Sequence, residues 1–212
     1  MAESAILLGA SGLTGSYLLK YLLQDDYFTE VNILVRKKID LTHPKLKQTV
    51  VDFNNTVDFQ SSIGKSDIIF CCIGTTMKKV KGDRKLYKQI DVDIPVNAAK
   101  FGAENGVRKF LLVSAIGANA KSSIFYNRIK GLAENGVKNS GIPSIYIFRP
   151  SLLTGRINKR RGERFAEIIM KILDPFMIGS LRKYHSMPAT KLAYTMLNTA
   201  KKESMAVRVF YY

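Results

Sequence analysis

The phenol of Tyr126 and the ammonium of Lys130 stand four residues apart in the segment Tyr126-Asn127-Arg128-Ile129-Lys130. On a helix that spacing puts both groups on one face. A neighbouring ammonium eases proton transfer to and from a phenol, so Tyr126 can serve as an acid or base toward a carbonyl or an alcohol. Ser114, twelve residues earlier at the end of a predicted strand, has a hydroxyl suited to holding a substrate carbonyl. Such a pair also occurs by chance on surface helices, where the tyrosine is merely half-buried. Its weight therefore depends on what surrounds it.

A glycine-rich turn supplies that context. Gly9-Ala10-Ser11-Gly12-Leu13-Thr14-Gly15 spells G-x-x-G-x-x-G between a short apolar run and an amphipathic stretch, where such a turn cradles the pyrophosphate of a dinucleotide. Gly9 permits the tight turn, Ser11 lies within it, and Gly12 leaves room for phosphate to approach the backbone. Gly15 lets the next helix pack close to the strand. The N–H groups of Leu13 and Thr14 then face the phosphates, favoured by the helix dipole. An NAD site usually places Asp or Glu after the second strand for the ribose 2′-hydroxyl. This chain has Arg36, Lys37 and Lys38 instead, which suit the 2′-phosphate of NADP, so NADP is expected in preference to NAD. Ligands of such sheets bind at the carboxyl ends of the strands. Asp52 and Phe53, after the third strand, are thus placed for the adenine, and Ile73, Gly74 and Thr75, after the fourth, for the nicotinamide ribose.

The elements that must position these groups follow from apolar runs of strand length alternating with amphipathic stretches of helix length. Strands are predicted over 5–8, 31–35, 49–51, 67–72, 110–113, 144–148 and 207–211. Helices are predicted over 13–23, 85–101 (kinked or broken by Pro95), 125–138, 164–173 and 189–200. The expected fold is α/β, a doubly wound parallel sheet with helices on both faces. Residues 151–188 form a small substrate-side segment, and residues 1–212 a single domain. Cys71 and Cys72, adjacent in a strand, point to opposite faces and act as small apolar residues rather than as a disulfide or metal site.

Composition narrows the partners. The net charge of +16 is uneven: residues 1–75 carry 7 basic and 8 acidic side chains, residues 76–212 carry 26 and 9. Residues 156–164 alone hold Arg156, Lys159, Arg160, Arg161 and Arg164 against Glu163. Such a field attracts phosphates, anionic substrates, nucleic acid or anionic lipid, or is simply a solvated surface. A small-molecule substrate is the favoured partner. Direct nucleic-acid binding lacks any recognition motif and ranks last, and peripheral membrane contact ranks behind core packing or a lid for the apolar stretch 165–173. No apolar run is long enough to span a bilayer and no signal peptide is evident, so the expected setting is cytoplasmic. A homodimer is compatible with this sheet type.

Together, Gly9 to Gly15, Ser114, Tyr126 and Lys130 resemble an atypical short-chain dehydrogenase/reductase. The nearer resemblance is to the Tat-interacting-protein oxidoreductases, carried by FCCIGTT at 70–76, QIDVD around Asp91, the KSS before Tyr126, and FRPSLL at 148–153. It implies an NADP-binding Rossmann fold, with Tyr126 as acid/base and Lys130 also touching the nicotinamide ribose. It adds Tyr87, Leu153 and Arg161 as cofactor contacts beside Leu13, Thr14, Arg36, Lys37, Ile73 and Gly74. Two departures stand out: Cys-Ile-Gly replaces an Asn-Ala-Gly-like segment after the fourth strand, and Ser114 is followed by Ala115 rather than a second serine. Ser122 and Ser123 are the alternative hydroxyls.

Two functions remain open from the sequence. One is an NADP-dependent oxidoreductase acting on a small carbonyl or alcohol. The other is a regulatory protein that binds NADP and changes partners with cofactor state, without turnover. Both need residues 9–15 and 36–37, and only the first needs Tyr126.

Overall fold

Continuous apolar runs give the inner strands two buried faces, and the strands assemble side by side. The computed structural model describes residues 3–155, 186–202 and 205–212. Seven parallel strands form one sheet in the order β3-β2-β1-β4-β5-β6-β9: β1 Glu3–Leu8, β2 Phe28–Val35, β3 Leu46–Val50, β4 Ile68–Cys71, β5 Lys109–Val113, β6 Ser144–Arg149 and β9 Val207–Tyr211. A two-stranded parallel ribbon pairs β7, Leu153–Thr154, with β8, Met187–Pro188. The chain runs outward from β1 to β3 and then restarts on the other side of β1 with β4. The switch point therefore lies between β1 and β4, where an open α/β sheet binds its ligand.

The two faces carry separate cores. On one, α1 (Leu13–Gln24) and α6 (Ala189–Ala200) bury Leu18, Leu22, Leu192 and Met196 against Leu7, Ile33, Phe70 and Phe148. On the other, α2 (Thr56–Ser62), α4 (Ile94–Glu104) and α5 (Phe125–Lys138) bury Phe59, Ala98, Phe101 and Val137 against Ile6, Leu8, Ile69 and Ile147. Each fully buried Leu, Ile or Phe contributes about 1.5–3 kcal/mol. Cys71 joins the second core while Cys72 packs against the first, as strand alternation requires. The expected doubly wound α/β architecture is thus present.

Local departures have identifiable causes. The third strand covers Leu46–Val50 rather than 49–51, because this edge strand buries little and its pattern is polar. Helix α2 is only seven residues long and is started by Asn55, whose side chain accepts from the N–H groups of Val57 and Asp58. The helix expected over 85–101 is built in three parts: α3 (Arg84–Lys88), a π-helical turn Gln89–Asp93, and α4. Pro95 has no N–H to offer and crowds the carbonyl four residues back. The turn before it widens, and the Ile94 N–H reaches the Gln89 carbonyl. The helix predicted over 164–173, the basic cluster 156–164 and Arg161 lie outside the described residues.

Candidate functional site

The glycine-rich turn sits at the carboxyl end of β1. Gly9 has φ +85°, the left-handed region, and its carbonyl accepts the Gly12 N–H at 2.9 Å. A Cβ on Gly9 would lie 2.7 Å from the Cys72 carbonyl and 2.9 Å from the Ile73 N, so the ends of β1 and β4 touch here. A Cβ on Gly15 would overlap the Gly9 carbonyl oxygen at 2.1 Å; only glycine lets α1 start this close to the strand. Gly12 differs. Its Cβ would meet only the Gly9 oxygen at 3.1 Å and the Cys72 oxygen at 3.9 Å, with the remaining side open. Gly12 caps α1 with no side chain accepting from the first-turn N–H groups, and no acidic residue stands in that turn. Ser11 is exposed, Leu13 half-buried and Thr14 buried. Orphan donors at the mouth of an open glycine backbone are a fit for a pyrophosphate.

Arg36 and Lys37 are exposed just past β2, and neither forms an ion pair with a described residue. Asp52 is committed locally: its carboxylate accepts from the Asn54 N–H and side-chain amide, both at 2.9 Å. Phe53 packs edge-on against Phe59 at 4.9 Å, leaving its ring half-buried beside the second core. Leu153, in β7, packs against the first core near the start of α1, where the Tyr17 hydroxyl donates to the Gly155 carbonyl at 3.0 Å.

The second half of the site comes from α5 and the loop after β4. The Lys130 ammonium is buried 2.8 Å from Oδ2 of Asp91, which has no other partner among the described residues. Oδ1 of Asp91 accepts the Thr75 N–H at 2.7 Å, and a Cβ on Gly74 would stand 3.6 Å from the Lys130 Nζ. The pair therefore lies against the Ile73-Gly74-Thr75 loop, whose first residue touches Gly9. Burial opposes the ammonium of Lys130, and Asp91 and then Tyr126 outweigh it, so Lys130 holds its proton above the usual lysine range. The Tyr87 hydroxyl donates to the Thr75 carbonyl at 3.3 Å, and burial, aided by the Asp91 carboxylate, pushes that phenol up. Tyr126 is 44% exposed, one turn before Lys130. Its helix is fixed by Arg128, which donates to the Ser122 and Ser123 carbonyls at 2.7 and 3.1 Å, and by Phe125, edge-on to Tyr87 at 5.4 Å. The Ser122 hydroxyl accepts the Ile124 N–H and so caps the loop before α5.

Ser114 is placed differently. It is buried, and its hydroxyl donates to Oε1 of Glu134 at 2.5 Å. Glu134 also takes Arg149 in a two-pronged contact at 2.9 and 2.6 Å. The Ser114 hydrogen is committed to that carboxylate. Asp91 is the site residue that sequence spacing did not single out for a role. The signal was present: Asp91 lies on the apolar stripe Tyr87, Ile94 and Ala98, and a carboxylate there needs a buried partner.

Comparison with known proteins agrees with this geometry. Residues 9–167 match the NAD(P)H-binding family. Protein HTATIP2 of Rattus norvegicus is 31% identical over 201 residues, 92% of this chain and 80% of that one. Protein FMP52-1, mitochondrial, of Scheffersomyces stipitis is 31% identical over 89% of this chain and 80% of its own. Among solved structures, the Bordetella bronchiseptica enzyme WbmH in complex with NAD+ superimposes with a TM-score of 0.75 at 15% identity, over 100% of this chain and 76% of that one. At that identity the likeness is one of fold. The chain belongs to the NAD(P)H-binding family, in the branch that includes HTATIP2 and the fungal FMP52 proteins, and it has their Rossmann fold.

Proposed function

We propose that this protein is an NADP-dependent oxidoreductase of the atypical short-chain type, acting on a small carbonyl or alcohol substrate. One observation carries the reading: an unbroken chain of contacts runs from Gly9 through Cys72 and Ile73 to Gly74, Asp91 and Lys130. It joins a phosphate-binding turn to a proton-handling helix at the carboxyl ends of the central strands. The cofactor, when bound, supplies or accepts the hydride. The first-turn N–H groups of α1 hold its pyrophosphate, Arg36 and Lys37 its 2′-phosphate, and Lys130 its nicotinamide ribose. In the reducing direction Tyr126 donates its phenolic proton to the substrate oxygen. Ser114, bound to Glu134, keeps the end of β5 in place rather than orienting the substrate. Residues 1–212 act as one domain on this reading.

Calorimetric titration with NADPH and with NADH tests the cofactor assignment. NADPH should bind more tightly. Arg36→Ala with Lys37→Ala should weaken NADPH binding roughly tenfold to a hundredfold, the worth of charge-assisted phosphate contacts, and leave NADH nearly unchanged. Equal loss for both nucleotides would count against a 2′-phosphate site.

The commitment of Ser114 to Glu134 also favours a second reading, an NADP-binding regulatory protein without turnover. Tyr126→Phe separates the two. On the enzymatic reading, the rate with a reactive carbonyl falls roughly 10²- to 10⁴-fold while NADPH affinity is kept. No turnover in either protein, with NADPH bound by both, would favour the regulator. Among the described residues no helix is long and apolar enough to cross a membrane. The fungal relative's name carries the word mitochondrial; a mitochondrial setting thus competes with the cytoplasmic one, and cell fractionation distinguishes them.

A further inference from the structure

Lys130 is an ammonium in a place that disfavours ammoniums. Its side chain is 9% exposed and that of Asp91 is fully buried. Three further groups surround the pair: Cys71 from β4, Tyr87 from α3 and Tyr126 from the same helix as Lys130. Burial pushes the Cys71 thiol up to about 11, so it is uncharged near neutral pH, and burial likewise keeps the Tyr87 phenol protonated. Asp91 is therefore the counter-charge that faces Lys130 among the described residues. A buried lysine without one gives up its proton several pH units below an exposed lysine.

We propose that Asp91 is the positioning residue that keeps Lys130 cationic at neutral pH and aims it at the Gly74 loop. The proposal builds on the assignment of Lys130 to the cofactor site and adds to it the residue through which Lys130 works. The carboxylate is itself held in place. Oδ1 is occupied by the Thr75 N–H at 2.7 Å, leaving Oδ2 for the ammonium at 2.8 Å. Asp91 lies within the π-helical turn, four residues after Tyr87 and four before Pro95. An uncharged neighbour in its place could hold the loop but not the proton.

Asp91→Asn separates those two tasks, because asparagine keeps a carbonyl oxygen for Thr75 and loses only the charge. The measurement is the ¹³C chemical shift of lysine Cε against pH in cofactor-free protein, with Lys130→Met identifying the Lys130 signal. In the unsubstituted protein Lys130 should stay protonated up to the alkaline end of the titration. In Asp91→Asn its midpoint should fall by roughly two to four pH units. NADPH affinity of that variant should then decline above the new midpoint, by up to about tenfold per pH unit. An unchanged Lys130 midpoint in folded Asp91→Asn would overturn the proposal. If circular dichroism shows that Asp91→Asn does not fold, Asp91→Ser, with a shorter acceptor, takes its place under the same criterion. Because the shift is read without cofactor, it decides the matter whether or not NADPH binds. Failure of wild-type protein to bind NADPH would instead strike the parent reading.

Discussion

Gly15→Ala is expected to abolish NADPH binding and to lower the unfolding free energy by about 3–5 kcal/mol, whereas Gly12→Ala should lose cofactor affinity alone. The added methyl at Gly15 would have to share space with the Gly9 carbonyl oxygen at 2.1 Å and the Gly9 carbon at 2.8 Å. Both are backbone atoms of the turn itself. Relief requires α1 to move away from β1, which opens the core that Leu18 and Leu22 share with Leu7. At Gly12 the nearest atom to a new methyl is 3.1 Å away and the backbone is in an ordinary extended conformation, so the fold tolerates it. The methyl would occupy the open side instead, where phosphate must meet the helix N–H groups, and affinity should fall roughly tenfold or more. Urea denaturation and NADPH fluorescence titration on both variants check the pair. Equal stability of Gly15→Ala and the unsubstituted protein would mean that the strand-to-helix turn is not packed as described.

Glu134→Ala should be the second most damaging change, costing about 3–5 kcal/mol with no direct contact to the proposed cofactor. Glu134 is 1% exposed and receives Ser114, the Arg149 guanidinium and, at 3.9 Å, the Lys138 ammonium. Arg149 holds its proton above the usual range, chiefly through its hydrogen bonds to Glu134, and it remains charged when Glu134 is removed. Truncation therefore leaves a largely buried cation and a buried hydroxyl without their acceptor. The contact links β5, α5 and β6, and Arg149 extends it to β9 through the Tyr211 hydroxyl at 2.9 Å. Denaturant titration measures the loss. Ser114→Ala in the same series should cost far less and leave any turnover nearly intact; a collapse of turnover with stability kept would return Ser114 to the reacting group.

These expectations also show how far the sequence reaches. Strand positions were legible because β1, β2, β4, β5 and β6 are buried on both faces and so are written as apolar runs. The edge strand β3, with its pattern LKQTV, carries no such run, and its limits were misplaced. The tight turn between β1 and α1 was legible because only glycine meets the steric demand at 9 and 15, and that demand is local. The Tyr126–Lys130 pair was legible for the same reason, its geometry being fixed by helix periodicity. Asp91 and Glu134 depend on contacts across 39 and 20 residues, and helix periodicity does not reach that far. Ser114 shows the limit most clearly. Its type and position at the end of β5 suit substrate binding, yet its hydrogen goes to a carboxylate whose proximity only the packing of α5 against β5 and β6 could reveal.

The π-helical turn has one more consequence. It holds one residue more than an α-helical turn would over nearly the same rotation. Deleting a residue from 89–93 would narrow that turn, although Pro95 would still donate no hydrogen bond to the helix. Because the wide turn already absorbs the extra residue, α3 and α4 would keep roughly their present rotation about the helix axis. Tyr87 would stay near Thr75 and Phe125, and only the residues within the turn, Asp91 among them, would change place. The irregularity is thus a local device that sets where Asp91 stands opposite Lys130 without redirecting the helices on either side. A sequence free to optimise the helix alone would erase it.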